Sequence, residues 1–162
     1  MLLLCLWIGG CGFQLRGAGG FEVALSAIYV SVNNKYGDLH QHLVRSLTRS
    51  GITVVSRAGD AAYRLSINAE RVIRRAVATT STISVAEYEL RLEVDMVLQN
   101  TAGESVIPLI TLATERIYTF DRSSLVGSNE EETILLEEMR ADLVLQIIRR
   151  LDATVRTFEA NQ

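Results

Sequence analysis

The sequence predicts an α+β fold, a two-layer sandwich in which one mainly antiparallel sheet of about four strands is covered on one face by two helices. Three observations carry this. Tyr88, Leu90, Leu92, Val94, Met96 and Leu98 alternate with Glu87, Glu89, Arg91, Glu93 and Asp95, the period of two that puts one strand face in a core and the other in water. Leu39, Leu43 and Leu47 recur every four residues, and Leu136, Met139, Leu143, Ile147, Leu151 and Val155 recur at threes and fours, which are two apolar helix stripes. The elements run strand, helix, three strands, helix, a segregation that favours helices laid over one sheet rather than alternating with parallel strands.

Each element has its own signals. In the first strand Ile28, Val30 and Val32 fall on one side, Tyr29 and Ser31 on the other. Asp38 stands where it can cap the first helix, with Arg49 in the last turn and Gly51 as the stop. Ile52 to Val55 is an apolar run too short to classify, though it can lead into a strand. Tyr63, Leu65, Ile67 and Ala69 alternate with Arg64, Ser66, Asn68 and Glu70, and this strand continues toward Ile73. Ala76 to Ser84, small and Thr-rich, reads as a loop before the central strand. Asn100 to Gly103 has hairpin-turn chemistry. Ile107 to Phe120 returns as a strand of blurred alternation: Arg116 falls in phase with Leu112, Tyr118 and Phe120, and Ile117 with Glu115. A bulge or burial on both faces would account for this. Ser128 and Glu131 have the spacing of a capping box for the last helix.

The N-terminus carries a different message. Leu2 to Ile8 is a charge-free apolar run closed by Ile8-Gly9-Gly10-Cys11, a lipobox in which small residues precede a thiol able to accept a diacylglycerol. The expected organisation is a signal peptide over 1–10, a lipidated tether over 11–26 that begins with Cys11, and a single domain over 27–162. The apolar run is shorter than the ~20 residues of a membrane-spanning helix. Two or three acyl chains, at roughly 0.8 kcal/mol per buried methylene, anchor a protein stably without spanning. Cys5 lies in the leader, so the mature domain has no disulfide and must be held by its core.

The 162-residue chain has a formal net charge of −3, which gives no general attraction to nucleic acid. Of its 16 basic residues only Lys35 is a lysine, and Arg is the residue suited to forked recognition of phosphate or carboxylate. The cluster Arg71, Arg74 and Arg75, with Arg122 as a second position, is the candidate anion-binding set. Catalytic constellations are missing: His40 and His42 are two apart and read as surface residues, whereas a helical metal pair sits four apart. There is no serine-nucleophile elbow, zinc pattern or Gly-rich phosphate loop. The expectation is a non-enzyme with no cofactor and no metal.

Four segments resemble a known family. Cys11-Gly12-Phe13-Gln14-Leu15-Arg16 is similar to the mature N-terminus of the lipopolysaccharide-assembly lipoproteins, LptE. Ala86-Glu87-Tyr88, Ser128-Asn129-Glu130 and Ile148-Arg149-Arg150-Leu151 follow in the same order. The resemblance implies an outer-membrane lipoprotein, anchored on the periplasmic side, that sits as a plug in the lumen of the β-barrel LptD as a heterodimer and helps deliver lipopolysaccharide to the cell surface. A barrel lumen is polar, so Glu87, Glu89, Arg91 and Glu93, with Glu115 and Ile117 on the next strand, are the candidate partner face. Arg71, Arg74, Arg75 and Arg122 are then candidates for the phosphates of lipid A. The competing expectation is a freestanding periplasm-facing lipoprotein that binds a ligand or supports another envelope transport complex.

Overall fold

The structure, a computed structural model, describes residues 25, 27–35, 37–79 and 85–160. Cys11, the signal segment and nearly all of the tether lie outside the described residues. Leu25, at the tether's end, is only 1% exposed and belongs to the core, so the packed body takes in at least this residue ahead of the first strand.

Five strands form one sheet: β1 (Ala27–Val32), β2 (Thr53–Val55), β3 (Tyr63–Thr79), β4 (Val85–Asn100) and β5 (Ser105–Asp121), in the spatial order β2-β1-β3-β4-β5. Two helices, α1 (Asp38–Arg49) and α2 (Leu125–Ala160), complete the fold. The α+β class holds. The sheet has one strand more than expected and is mixed: β1 pairs in parallel with both β2 and β3, whereas β3, β4 and β5 form an antiparallel meander. The extra strand is the three-residue β2, and its parallel pairing follows from α1, which carries the chain back across the sheet before β2 begins.

Helix α1 stops for a local reason. Gly51 has φ +83°, Ile52 N–H donates to the Leu47 carbonyl at 3.1 Å, and Gly51 N–H donates to Thr48 at 3.1 Å. This is a Schellman ending, with Leu47 and Ile52 both buried as its apolar contact. At its start Gly37, not Asp38, is the cap residue, and no side chain caps there. Asp38 instead faces Arg140 of α2 at 3.5 Å. The β4–β5 turn is as expected: Asn100 Oδ1 accepts from Ala102 and Glu104 N–H groups at 3.0 and 2.9 Å, and Gly103 takes φ +80°.

The last helix starts earlier than the capping box implies. A short 3₁₀ turn, Arg122–Ser124, leads directly into α2, and Asp121 accepts from the Ser123 N–H at 2.8 Å. Ser128 therefore lies inside the helix, buried, with its hydroxyl on the Asp121 backbone at 3.0 Å. The Asx-type turn at Asp121 captures the start that Ser128 and Glu131 advertise in sequence.

One core joins both layers. Ile28, Val30, Leu65, Ile67 and the five β4 residues Leu90, Leu92, Val94, Met96 and Leu98 face Leu39, Leu43 and Leu47 of α1 and Met139, Leu143, Ile147, Leu151 and Val155 of α2. At 36 residues α2 is about 54 Å long at 1.5 Å per residue, long enough to follow the three long strands from end to end.

Candidate functional site

Slips in strand register decide which side chains meet. In β3 the pairing with β4 slips between Asn68 and Arg71, so three steps on β3 match two on β4. Tyr63, Leu65 and Ile67 point to the helices before the slip; after it Val72, Arg74 and Ala76 do, while Arg71, Ile73 and Arg75 point outward. The expected arginine cluster is thus split across the two faces of the sheet. It also lies along the strand and not at its end, because β3 runs on to Thr79 through residues expected in a loop. In β5 one slip falls between Ser105 and Ile107 and another between Ile107 and Ile110, at Pro108 and Leu109. This bulge leaves the later phase intact, so Arg116 faces the helix layer and Ile117 faces out.

The outward face is a lattice of cross-strand ion pairs. Register sets Arg71 opposite Glu93, Arg75 opposite Glu89, and Arg91 opposite Glu115. Arg71 donates to Glu93 at 3.1 and 3.2 Å and to Asp95 at 2.7 and 3.1 Å. Arg91 donates to Glu93 at 2.5 Å and also to Glu115. Arg75 Nη2 donates to both Glu89 oxygens, at 2.9 and 3.1 Å. Thr111 adds a hydroxyl to Asp95 at 2.7 Å. Hydrogen bonds from Arg71 and then Thr111 hold the Asp95 carboxyl at about 2, and those from Arg91 and Arg71 lower Glu93. Glu87 is exposed opposite Thr119. Ile117, 65% exposed, and Ile73, 46% exposed, are the large apolar groups among these charges.

The helix-facing side has a different arginine. Arg74 lies over Tyr88 at 3.9 Å from the ring centre, with Phe120 at 4.8 Å and Tyr118 at 5.7 Å, distances at which a cation is attracted to the ring faces. The rings support one another: Tyr88 and Phe120 meet edge to face at 5.8 Å, and Tyr88 and Tyr118 are tilted at 6.1 Å. Glu132 of α2 is the carboxylate of the cage. One of its oxygens accepts the Tyr118 hydroxyl and lies 3.4 Å from Arg74 Nη1. Burial first, then Glu132, pushes the Tyr118 phenol above its ordinary range.

Among the described residues Arg74 makes an ion pair but no hydrogen bond, unlike Arg71 and Arg75, and about a third of its side chain is exposed. Two further cross-layer pairs flank it. Arg116 donates to Asp142, and Arg140 donates to Glu70 at 2.9 Å. Arg122 opens the 3₁₀ turn two residues beyond Phe120, at the same end of the sheet, and its side chain lies outside the described groups.

Sequence reasoning missed Tyr88, Tyr118, Phe120 and Glu132. The aromatic residues read as core alternation and Glu132 as a helix-start charge; only the pairing of Tyr88 with Tyr118 and the earlier start of α2 put them around Arg74. His40 and His42 are both part-exposed on α1. Nδ1 of His40 is buried without a partner among the described residues, and burial, then Lys35, lowers its pKa. No group of three or more His, Cys, Asp or Glu among the described residues is placed to hold a metal ion, and no described helix is long and apolar enough to cross a membrane.

The fold and these two surfaces define a small α+β binding and assembly body. The lipopolysaccharide-assembly family LptE matches residues 25–151, and the chain belongs to it. The LPS-assembly lipoproteins LptE of Yersinia pestis (strain Pestoides F) and Yersinia pseudotuberculosis (serotype O:1b, strain IP 31758) are each 27% identical over 154 residues, covering 92% of this chain and 72% of theirs. The rare lipoprotein B from Shewanella oneidensis shares the fold with a TM-score of 0.74 at 22% identity, over 83% of this chain and 99% of that one. A lipoprotein B from Nitrosomonas europaea, solved in solution, does so with a TM-score of 0.75 at 23% identity, over 90% and 93%. Family membership supports a role in lipopolysaccharide assembly as an outer-membrane-associated lipoprotein.

Proposed function

We propose that this chain is held at the outer membrane through an acylated Cys11, occupies the lumen of the LptD barrel, and takes part in passing lipopolysaccharide through it. The observation that carries the barrel reading is the outward face of β3, β4 and β5. Burying a charge without a partner is costly. Here Glu89, Arg91, Glu93 and Glu115 are matched across strands before any partner arrives. Such a face can be covered by a polar barrel wall that supplies donors for its remaining carboxylates, Glu87 among them, and Ile73 and Ile117 supply apolar contact. Of the four arginines proposed for lipid A phosphate, Arg71 and Arg75 are hydrogen-bonded to carboxylates, whereas Arg74 meets one only at 3.4 Å, so Arg74, with Arg122 at the same sheet end, supports the lipopolysaccharide reading best.

A photo-crosslinking residue at Ile117 or Glu115 in living cells tests the partnership. The expected result is capture of one large β-barrel outer-membrane protein, together with less correctly assembled barrel when the lipoprotein is depleted. Capture of periplasmic proteins alone, with the barrel and surface lipopolysaccharide unaffected, would favour a freestanding lipoprotein.

A further inference from the structure

The arginine cage contains its own competitor for anions. We propose that Glu132 is a built-in carboxylate that an incoming phosphate monoester displaces from Arg74, and that Tyr118 keeps this carboxylate from closing fully on the guanidinium. The proposal rests on the reading of Arg74 as a contact for lipid A phosphate and adds a regulating pair to it.

Arg74 has five N–H donors on a planar group. Its carbon lies 3.9 Å from the Tyr88 ring centre, with Phe120 and Tyr118 beyond, so the rings hold the cation without using its N–H donors. Arg71 and Arg75 already use such donors to hold carboxylates at 2.7–3.1 Å. Arg74 does not. Its carboxylate stands 3.4 Å away, and the oxygen nearest to it is the one that accepts the Tyr118 hydroxyl. A hydroxyl donor on that oxygen withdraws electron density and fixes the carboxylate in place, which weakens its hold on the cation. A phosphate monoester brings up to two charges and three acceptor oxygens, so it can fork the guanidinium where Glu132 cannot. On exchange Glu132 keeps the Tyr118 hydroxyl as a hydrogen-bond donor.

The two supporting residues should act with opposite signs. E132Q removes the competing charge while its amide oxygen can still accept the Tyr118 hydroxyl. Y118F frees the Glu132 oxygen to pair more closely with Arg74. A merely structural role would make both variants weaker.

The experiment measures binding of bisphosphorylated lipid A micelles to the full chain in its parent, R74A, E132Q and Y118F forms, with thermal melting to confirm folding. An exposed ion pair of this kind carries about two- to fivefold in affinity. E132Q should therefore bind about two- to fivefold more tightly, Y118F more weakly, and R74A most weakly. The gain in E132Q should vanish with lipid A stripped of its phosphates. Abolition of the gain by millimolar inorganic phosphate would assign the Arg74 edge to phosphate in general; persistence would assign it to phosphate carried on the lipid, and either outcome fits the exchange.

Equal binding by parent and R74A would overturn the reading of Arg74 and this proposal with it. Weaker binding by R74A with no gain in E132Q would overturn the proposal alone, as would an equal gain with dephosphorylated lipid.

Discussion

Arg74 and Arg75 are adjacent in the chain and lie on opposite faces of one strand, and they illustrate two ways in which a protein holds a guanidinium. Arg75 stands in water, its Nη2 donating to both Glu89 oxygens, one unit in a lattice of paired charges that joins neighbouring strands. Arg74 stands among three aromatic rings with a single carboxylate at longer range. On the outward face three arginines bridge four carboxylates, which suits it to being covered, whereas Arg74 makes no side-chain hydrogen bond among the described residues and keeps donors for an anion. The difference comes from the backbone: without the slip after Asn68, Arg74 would face out with Glu89 and Arg91, and Arg75 would point at the helices.

Both surfaces depend on the core between the layers, so the most damaging substitution lies there. Leu143→Asp places a carboxylate at a fully buried position of α2. An unpaired buried charge costs several kcal/mol against a total stability of about 5–15 kcal/mol. The domain should fail to accumulate or should melt far below the parent. An unchanged melting curve would mean that this stripe faces water and would dissolve the comparison.

The next effect separates the faces. Arg74→Ala removes a cation from three rings, which contribute about 0.5–2 kcal/mol at partly desolvated sites. For a chain of this size that lowers the melting temperature by about 2–4 °C for each kcal/mol. Arg75→Ala, at an exposed pair, should stay within about 0.5 kcal/mol of the parent. Equal losses in the two variants would show that the cage is no more than a surface ion pair.

Acid sharpens the description of the outward lattice. Asp95 has a folded-state value of about 2, below the ~3.9 of an unperturbed aspartate. Its stabilising contribution is fully present above the unfolded value and is lost as pH falls toward about 2. Carbon-detected titration of the side-chain carboxyl should place its midpoint near 2. Arg71→Ala should raise that midpoint toward the ordinary range, and an unshifted midpoint would remove Arg71 as the cause.

Much of this was legible from local pattern. The alternation in β4, the four-residue repeat of α1, the seam of α2 and the turn at Asn100 are each encoded within a few residues, by period or by turn chemistry. The residues of the candidate site were less so. Arg71, Arg74 and Arg75 are visible as a basic cluster, but their division between two faces depends on a bulge that no composition signal in Asn68-Ala69-Glu70-Arg71 marks. Ser128 and Glu131 satisfy a local capping rule, yet the turn at Asp121 starts the helix first.

By itself the sequence determined most of the strands and helices and the apolar face of β1, β4 and both helices, because those properties follow from side-chain order along one element. It also carried the short segments whose resemblance pointed to the family. The tertiary structure decided the parallel place of β2, the phase of β3 beyond Asn68 and the gathering of Tyr88, Tyr118, Phe120 and Glu132 around Arg74. These depend on the register between segments far apart in the chain, and register is set by the joint packing of a whole sheet against its helices rather than by the preferences of any one residue.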